Sequence, residues 1–307
     1  MSLLGRVYKS TGSWYIVKTI DGKCWNTRIK GIFKIDGITS TNPIAVGDEV
    51  LIEPYPKEEN VAIITHINKR KNYIARTSPH QNKQQHIVAS NIDQALLICT
   101  LKEPKTSQGF IDRFLVTTEA YHITTIIVFN KTEIYNTKEL KLLESLHELY
   151  TNIGYTVLNT SVKKNENLDQ IENILKAKTT LLSGHSGVGK SSIINYLFPN
   201  VQLRTQEVSD WSGKGMHTTT FAEMFDLPNG GSIIDTPGIK EFGLFNITKQ
   251  ELSHYFADMR PLLQQCQFNN CLHTNEPNCA VKDAVEKGNI HISRYTSYYN
   301  ILKSIKE

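Results

Sequence analysis

The stretch that decides the fold is Gly184-His185-Ser186-Gly187-Val188-Gly189-Lys190-Ser191-Ser192. It fits the pattern GxxxxGK[ST], follows an apolar run at 179–183 and precedes a second one at 193–197. A strand, a glycine-rich loop and a helix in this order form a cradle in which backbone N–H groups and the positive end of the helix bind phosphate. We therefore expect the whole stretch to bind a nucleotide, with Lys190 acting on the outer phosphates in catalysis and Ser191 holding magnesium.

Strand and helix patterns alternate around this loop. The strand candidates are 92–100, 123–129, 155–160, 178–183, 221–226 and 232–235. The helix candidates between them are 108–121, 137–152, 167–176 and 190–197. Such alternation predicts a doubly wound α/β sheet with ligands at the carboxyl ends of its strands. We assign this domain to residues 86–245.

The N-terminal region has a different pattern. Short β-rich runs punctuated by glycine-containing turns lie at 3–9, 14–20, 23–30, 48–53 and 61–67. Five strands without a helix predict an OB-type β-barrel over residues 1–70, a class that often binds oligonucleotides. Five side chains in this region could stack on RNA bases or contact phosphate: Tyr8, Trp14, Tyr15, Trp25 and Arg28. Aromatic residues in a small barrel more often belong to its core, however.

Charge is distributed unevenly along the 307 residues. The net charge is +4, yet residues 1–85 carry 13 Lys and Arg against 7 Asp and Glu. The densest basic stretch, 68–86, contains no acid and fits a basic linker at 71–85 as well as a nucleic-acid contact. No apolar run approaches bilayer length and residues 1–15 show no signal pattern, so we expect a cytoplasmic protein without a membrane partner.

A second ligand loop follows the apolar strand candidate 123–129. Asn130-Lys131-Thr132-Glu133 resembles the NKxD element of GTP-binding proteins, in which the carboxylate accepts hydrogen bonds from guanine. Glu133 stands where that element has Asp, so the carboxylate is kept but is displaced by one methylene group. We expect these four residues to bind the guanine base.

A third loop follows the strand candidate 232–235. Asp235-Thr236-Pro237-Gly238 resembles the DxxG element of the same proteins, whose Asp holds magnesium through a water and whose Gly amide contacts the γ-phosphate. Both contacts require the γ-phosphate, so this loop can act as a switch. The Gly- and Thr-rich stretch 213–220 would supply the other switch, and either Thr219 or Thr220 would complete the magnesium shell.

The order of these loops is unusual. The base loop at 130 comes first, followed by Ser161 in a loop that could reach the ribose or base edge, then the phosphate loop at 184 and the switches. The usual order begins with the phosphate loop, so this GTPase-like domain is circularly permuted. The geometry can survive because domain termini usually lie close together at the surface.

A cysteine cluster marks residues 246–307 as a third, largely helical domain. Cys266-x4-Cys271-x-His273-x5-Cys279 offers three thiols and one imidazole, the ligand set of a closed structural zinc site. All four positions would be filled by protein, so one zinc ion would be structural. The other two cysteines, Cys24 and Cys99, lie in strand-like runs and are expected in the core.

Together, the barrel, the permuted order with GHSGVGKSS, HTTT and DTPGIKEFGL, and the cysteine spacing resemble the family of ribosome small-subunit-dependent GTPases, RsgA or YjeQ. The resemblance covers essentially the whole chain. It implies a GTPase that acts late in maturation of the small ribosomal subunit, binds ribosomal RNA and is stimulated by that particle. We also expect a monomer.

Hydrolysis needs a group that orients water. Ile239 stands where many GTPases have a Gln after DxxG, so intrinsic hydrolysis should be slow. We hypothesise that His217 in the first switch positions the water, although it could equally pack or contact RNA. Two further readings of the chain are an ATP-dependent P-loop enzyme and an RNA-binding scaffold with a weakened nucleotide switch.

Overall fold

A computed structural model describes residues 2–29, 43–56, 58–77, 85–201, 203, 222–236 and 247–305. Over these residues the chain forms a β-barrel, an α/β sheet and a C-terminal helical domain. None of the helices described there is long and apolar enough to cross a membrane.

The N-terminal strands close into the predicted barrel. They are β1 Leu3–Ser10, β2 Tyr15–Thr19, β3 Cys24–Ile29, β4 Glu49–Pro54 and β5 Val61–Ile67. Their order is β1-β2-β3-β5-β4, and β1 also pairs with β4, which closes the ring. Residues alternate between core and surface along each strand, as a half-buried sheet requires.

This alternation sorts the barrel's aromatic residues. Tyr15 and Trp25 point into the core and are 2% and 8% exposed, whereas Trp14 is 38% exposed. The expectation that Cys24 is buried is wrong, because it alternates with Trp25 and therefore lies on the outer face. Cys99 is buried as expected.

The central domain is a doubly wound sheet with the order β10-β9-β8-β11-β13-β12. Its strands are β8 Gln94–Cys99, β9 Thr124–Phe129, β10 Thr156–Asn159, β11 Thr179–Ser183, β12 Glu223–Asp226 and β13 Ser232–Asp235. Its helices are α1 Gln108–Ala120, α2 Thr137–Ile153, α3 Leu168–Leu175 and α4 Lys190–Leu197. All strand pairs are parallel except β12 with β13. One buried apolar cluster packs α1 and α2 on one face, and another packs α3 and α4 on the other.

The barrel and this sheet are continuous. Strand β1 pairs antiparallel with β12, with Lys9 opposite Glu223, so eleven strands form one hydrogen-bonded sheet. Lys9 Nζ lies 3.0 Å from a Glu223 carboxylate oxygen. Farther along β12, Lys18 Nζ lies 2.6 Å from Asp226. Neither strand carries a local sequence pattern that predicts this junction.

The basic stretch between the two domains contains structure as well. Strands β6 Tyr73–Thr77 and β7 Gln85–Ser90 pair as a two-stranded sheet. Just before them, the Arg70 guanidinium donates two hydrogen bonds of 2.6 Å to the fully buried Asp48 of the barrel. Ser90 donates a third to the same carboxylate at 2.6 Å. The connection is therefore fastened to the barrel by a buried, well-paired charge.

The C-terminal domain packs on α1. It contains short 3-10 turns at Leu252–Tyr255 and Arg260–Gln265, then α5 Ala280–Glu286 and α6 Ile292–Ser304. Arg294 of α6 is 1% exposed and donates hydrogen bonds to Asp112 of α1 and to both oxygens of Asp258. Asp112 also accepts a hydrogen bond from Tyr150 of α2. This buried cluster ties α6 to the central domain.

Candidate functional site

The phosphate loop joins β11 to α4, as its sequence predicted. Gly184 has a φ of +137°, and a Cβ on it would lie 2.2 Å from the Ile98 carbonyl oxygen, so only glycine lets the loop pass this close to β8. Lys190, the first residue of α4, donates hydrogen bonds from Nζ to the carbonyls of Gly184 and His185 at 2.8 and 2.9 Å. These hydrogen bonds link the two ends of the phosphate loop and keep the Lys190 ammonium group inside it.

The base loop lies directly against the phosphate loop. Asn130 is 2% exposed and donates a hydrogen bond from Nδ2 to the Val188 carbonyl at 2.9 Å. Its Oδ1 accepts one from the Thr160 hydroxyl at 3.2 Å. Gly189 has a φ of +98°, and a Cβ there would lie 2.4 Å from Asn130 Nδ2. The two predicted loops, more than fifty residues apart, are therefore parts of one site.

The remaining base-loop residues are held by the loops that follow β10 and β8. Ser161, fully buried, donates its hydroxyl to a Glu133 carboxylate oxygen at 2.7 Å. Thr132 donates its hydroxyl to Glu166 at 3.0 Å. Lys131 has a left-handed backbone with a φ of 62°, and its Nζ donates to the Glu103 carbonyl at 2.8 Å. Ser161 thus contacts the base loop through Glu133, and its contact with the ribose or base edge of a nucleotide stays a prediction.

Opposite charges face each other at the phosphate end. Burial lowers the pKa of Lys190, and the charge of Asp235 acts in the opposite direction. Burial likewise raises the pKa of Asp235, although Lys190 partly offsets this, and the nearby charge of Glu223 raises it further. Asp235 ends β13 beside β11, so the strands themselves bring this carboxylate to the phosphate loop. This end of the site can hold both a polyanion and a cation.

Part of the predicted site lies outside the described residues. The first switch with His217, Thr219 and Thr220 is there, and so are Gly238 and Ile239. The described part of the second switch shows Thr236 buried and donating its hydroxyl to the Leu182 carbonyl.

Two contacts around the loops were not predicted from the sequence. Thr160, which orients Asn130, directly precedes Ser161, so the reasoning that selected Ser161 could also have selected Thr160. Phe110 of α1 packs on the His185 ring, with centroids 4.0 Å apart. Nothing local in the sequence marks that pair, because the two residues are far apart in the chain.

The cysteine cluster forms a second candidate site. The ligand atoms of Cys266, Cys271, His273 and Cys279 all lie within 4.8 Å of one another. His273 Nδ1 lies 3.3 Å from the Cys279 sulfur and 3.7 Å from that of Cys266. Burial raises the pKa of Cys271 to about 12 and lowers that of His273. The four predicted ligands are together and could hold a metal ion.

The backbone around this cluster is fixed by hydrogen bonds. Glu276 accepts from the N–H groups of Leu272 and Thr274 at 2.9 and 2.8 Å. From α6, Tyr295 and Tyr298 donate their hydroxyls to carbonyls in the same turn at 2.7 and 2.9 Å. The turn that presents the ligands is therefore attached to α6, which itself is anchored to the central domain.

One face of the barrel combines aromatic and basic groups. The Arg28 guanidinium lies 3.6 Å from the centre of the Trp14 ring, and Lys23 Nζ lies 4.4 Å from that of Trp25. The exposed Trp14 ring presents a π surface beside the Arg28 charge, whereas the Trp25 ring is buried and its pair offers only the exposed Lys23. This face is a candidate RNA-contacting surface.

Comparisons with known proteins agree over the length of the chain. The RsgA N-terminal domain model matches residues 4–64, and the RsgA GTPase model matches residues 67–245. A protein from Phocaeicola vulgatus named small ribosomal subunit biogenesis GTPase RsgA is 50% identical over 303 residues, covering 99% of this chain and 97% of that protein. A Flavobacterium psychrophilum protein of the same name is also 50% identical, covering 99% of this chain and 94% of its own.

Solved structures give the same result. YjeQ from Thermotoga maritima superposes with a TM-score of 0.79 at 31% identity, covering 99% of this chain and 98% of that one. YloQ, described as a circularly permuted GTPase, gives a TM-score of 0.73 at 28% identity, covering 99% and 95%. The permuted order inferred from the loops is therefore confirmed.

Proposed function

Since this chain belongs to the RsgA GTPase family and is a GTPase of ribosome biogenesis, we propose that it hydrolyses GTP on the small ribosomal subunit late in its maturation. The observation that carries the nucleotide half is the contact of Asn130 with the phosphate loop, which joins base and phosphate recognition in one site. The small ribosomal subunit is proposed as the partner because the relatives are named small ribosomal subunit biogenesis GTPases.

Guanine recognition is assigned to the base loop. Glu133 accepts hydrogen bonds from the guanine edge, and Ser161 holds its carboxylate in place with one oxygen. The added methylene of Glu133 is tolerated because the hydrogen bond from Ser161 fixes the position of the carboxylate. Lys131 lies along the base, while Asn130 and Thr132 brace the loop.

Phosphate binding is assigned to residues 184–192. Backbone N–H groups of Gly184 to Gly189 and the start of α4 hold the phosphates, with His185, Ser186, Gly187 and Val188 shaping the loop and Ser192 continuing the helix. Lys190 leaves its two carbonyl partners to pair with the outer phosphates. This assignment is supported by Gly184 and Gly189, where an added Cβ would clash with neighbouring atoms.

Magnesium binding is assigned to Ser191, Asp235 and one of Thr219 and Thr220. A hydroxyl and a carboxylate are the hard oxygen ligands that magnesium prefers. The half-buried Asp235 carboxylate faces Lys190, so its charge already sits where a phosphate-bound cation would be placed. When bound, the ion neutralises charge on the phosphates. Gly238 would sense the γ-phosphate.

Hydrolysis is assigned to a water that His217 positions when the protein is bound to the ribosomal particle. With Ile239 in the usual Gln position, the isolated protein should turn over slowly. Replacing His217 by Ala should abolish stimulated turnover and spare nucleotide binding, and full stimulated turnover in that variant would remove the assignment.

The C-terminal cluster is assigned to one structural zinc ion. Zn–S and Zn–N bonds of about 2.3 and 2.0 Å in a tetrahedron place sulfur and nitrogen about 3.5 Å apart. The observed separations of 3.3 and 3.7 Å from His273 Nδ1 match this value. All four positions are protein ligands, so the ion stabilises the fold and leaves no place for substrate.

Contact with ribosomal RNA is assigned first to the barrel face around Trp14, Arg28 and Lys23. A ribosomal partner implies that the protein works in the cytoplasm, and we expect it to do so as a monomer.

The decisive experiment measures GTP turnover with and without purified small ribosomal subunits. We expect a slow basal rate that the particle increases, and a rate unchanged by the particle would contradict the proposed partner. Competition of ATP against GTP tests the base loop. Glu133→Gln should weaken GTP binding about ten- to hundredfold, the effect of losing a hydrogen bond to a charged group. The matched control Glu166→Gln removes the neighbouring negative charge but keeps an oxygen that can accept the Thr132 hydrogen bond, so it should bind GTP normally.

A further inference from the structure

One cross-strand row connects the barrel to the magnesium end of the site. Lys9 of β1 lies opposite Glu223 of β12, and Glu223 lies opposite Asp235 of β13. Residues directly opposite each other in antiparallel strands share a face and have Cβ atoms about 5 Å apart. Glu223 is therefore flanked by a lysine of the barrel on one side and by the carboxylate assigned to magnesium on the other.

Lys9 supplies the one positive charge in this row of three residues. Lys9 Nζ pairs with the Glu223 carboxylate at 3.0 Å, and both side chains are about one-third exposed. Without the lysine, the Glu223 carboxylate would lose its ion-pair partner while still lying opposite the Asp235 carboxylate. A bulge between Val7 and Lys9 in β1 interrupts the regular alternation at this point, and bulges commonly re-aim a side chain.

We propose that Lys9 is a positioning residue for the magnesium site: its ion pair draws the Glu223 carboxylate toward the barrel and away from Asp235. The barrel thereby sets the magnesium concentration that nucleotide binding requires. A bound partner that displaces β1 would change this concentration. This inference rests on the proposed magnesium role of Asp235.

The matched control lies on the same junction. Lys18 also joins the barrel to β12, through a 2.6 Å ion pair with Asp226. Asp226 is three residues farther along β12 and lies opposite Ser232 rather than Asp235. Loss of Lys18 therefore weakens the junction without changing the row that contains the magnesium site.

The experiment titrates magnesium against binding of a fluorescent, non-hydrolysable GTP analogue to the full chain. In Lys9→Met, the half-saturating magnesium concentration should fall about fivefold, the effect on a doubly charged ion of one uncompensated charge at about 8 Å with an effective dielectric constant of about 80. Lys18→Met should leave it unchanged. An equal shift in both variants, or none in Lys9→Met, would overturn the proposal.

A double-mutant cycle tests whether Lys9 acts through Glu223. In a Glu223→Gln background, Lys9→Met should no longer change the magnesium requirement, whereas a persisting shift would mean a direct field effect and would overturn the positioning role. Asp235→Asn separates this inference from the proposed function. If Asp235→Asn leaves the magnesium requirement unchanged, the magnesium site itself is misassigned. If it raises the requirement and Lys9→Met does not lower it, only the inference about Lys9 fails.

Discussion

Replacing Gly189 by Ala should disconnect the base loop from the phosphate loop. Gly189 has a φ of +98°, where an L-residue costs about 1–2 kcal/mol. The new Cβ would lie 2.4 Å from Asn130 Nδ2, while ordinary contacts begin at 3.4 Å, so the amide must move by about 1 Å. Such a movement breaks its 2.9 Å hydrogen bond to Val188 and leaves a buried carbonyl unsatisfied, at a cost of about 1–3 kcal/mol.

The total loss in the free energy of unfolding is therefore about 2–5 kcal/mol, measured by urea unfolding. Binding of a fluorescent guanine nucleotide should weaken at least about tenfold, since a cost of about 1.4 kcal/mol falling on the bound state already gives that factor. The matched control is Gly154→Ala at the end of α2, where φ is +107° and nothing lies within 4 Å of the added Cβ. It should lose only about 1–2 kcal/mol and bind nucleotide normally. If the two variants show equal stability and equal affinity, the contact between the loops does not organise the site.

Three further outcomes are expected. Arg294→Met should destabilise the protein by about 3–5 kcal/mol in urea unfolding, because two carboxylates lose their buried partner; a loss below about 1 kcal/mol would contradict this account. Cys279→Ser should bind less than one zinc ion per chain by metal analysis, whereas Cys24→Ser on the barrel surface should retain it; equal metal content would refute the ligand set. Burial acts to raise the pKa of Asp226, but hydrogen bonds led by that from Lys18 lower it below its ordinary value. The stabilisation is thus present at neutral pH and is lost as the pH falls below about 4; with the carboxylate over one-third exposed it is about 0.5 kcal/mol, and Asp226→Asn should remove that step from the pH dependence of unfolding.

The local patterns predicted most of the elements. The helix at 137–152 is close to the observed α2, because Asn136 and Glu139 form a capping box and Gly154 ends the helix. Strands in the central sheet were recognisable because both faces are buried and the runs are apolar. The phosphate loop and the metal ligands were found because their spacing along the chain already reflects the chemistry.

Other features leave no local signal. Strands β6 and β7 have only five and six residues and flank a polar, basic segment, so their pairing could not be predicted from the sequence. The cluster around Arg294 joins residues up to 182 positions apart, and an arginine in a helix is usually exposed. The pairing of β1 with β12 depends on two domains meeting, which neither segment encodes alone.

That pairing also determines how the protein can be divided. Among the described strands, β12 would be the last strand of the central sheet without β1, and its outer N–H and C=O groups near Glu223 would be open to another extended chain. A truncated chain that begins at residue 67, where the central domain could be cut from the barrel, would carry an unprotected sheet edge and invite self-association. The barrel therefore protects the central sheet from aggregation through this edge, and we expect the two domains to fold as one unit.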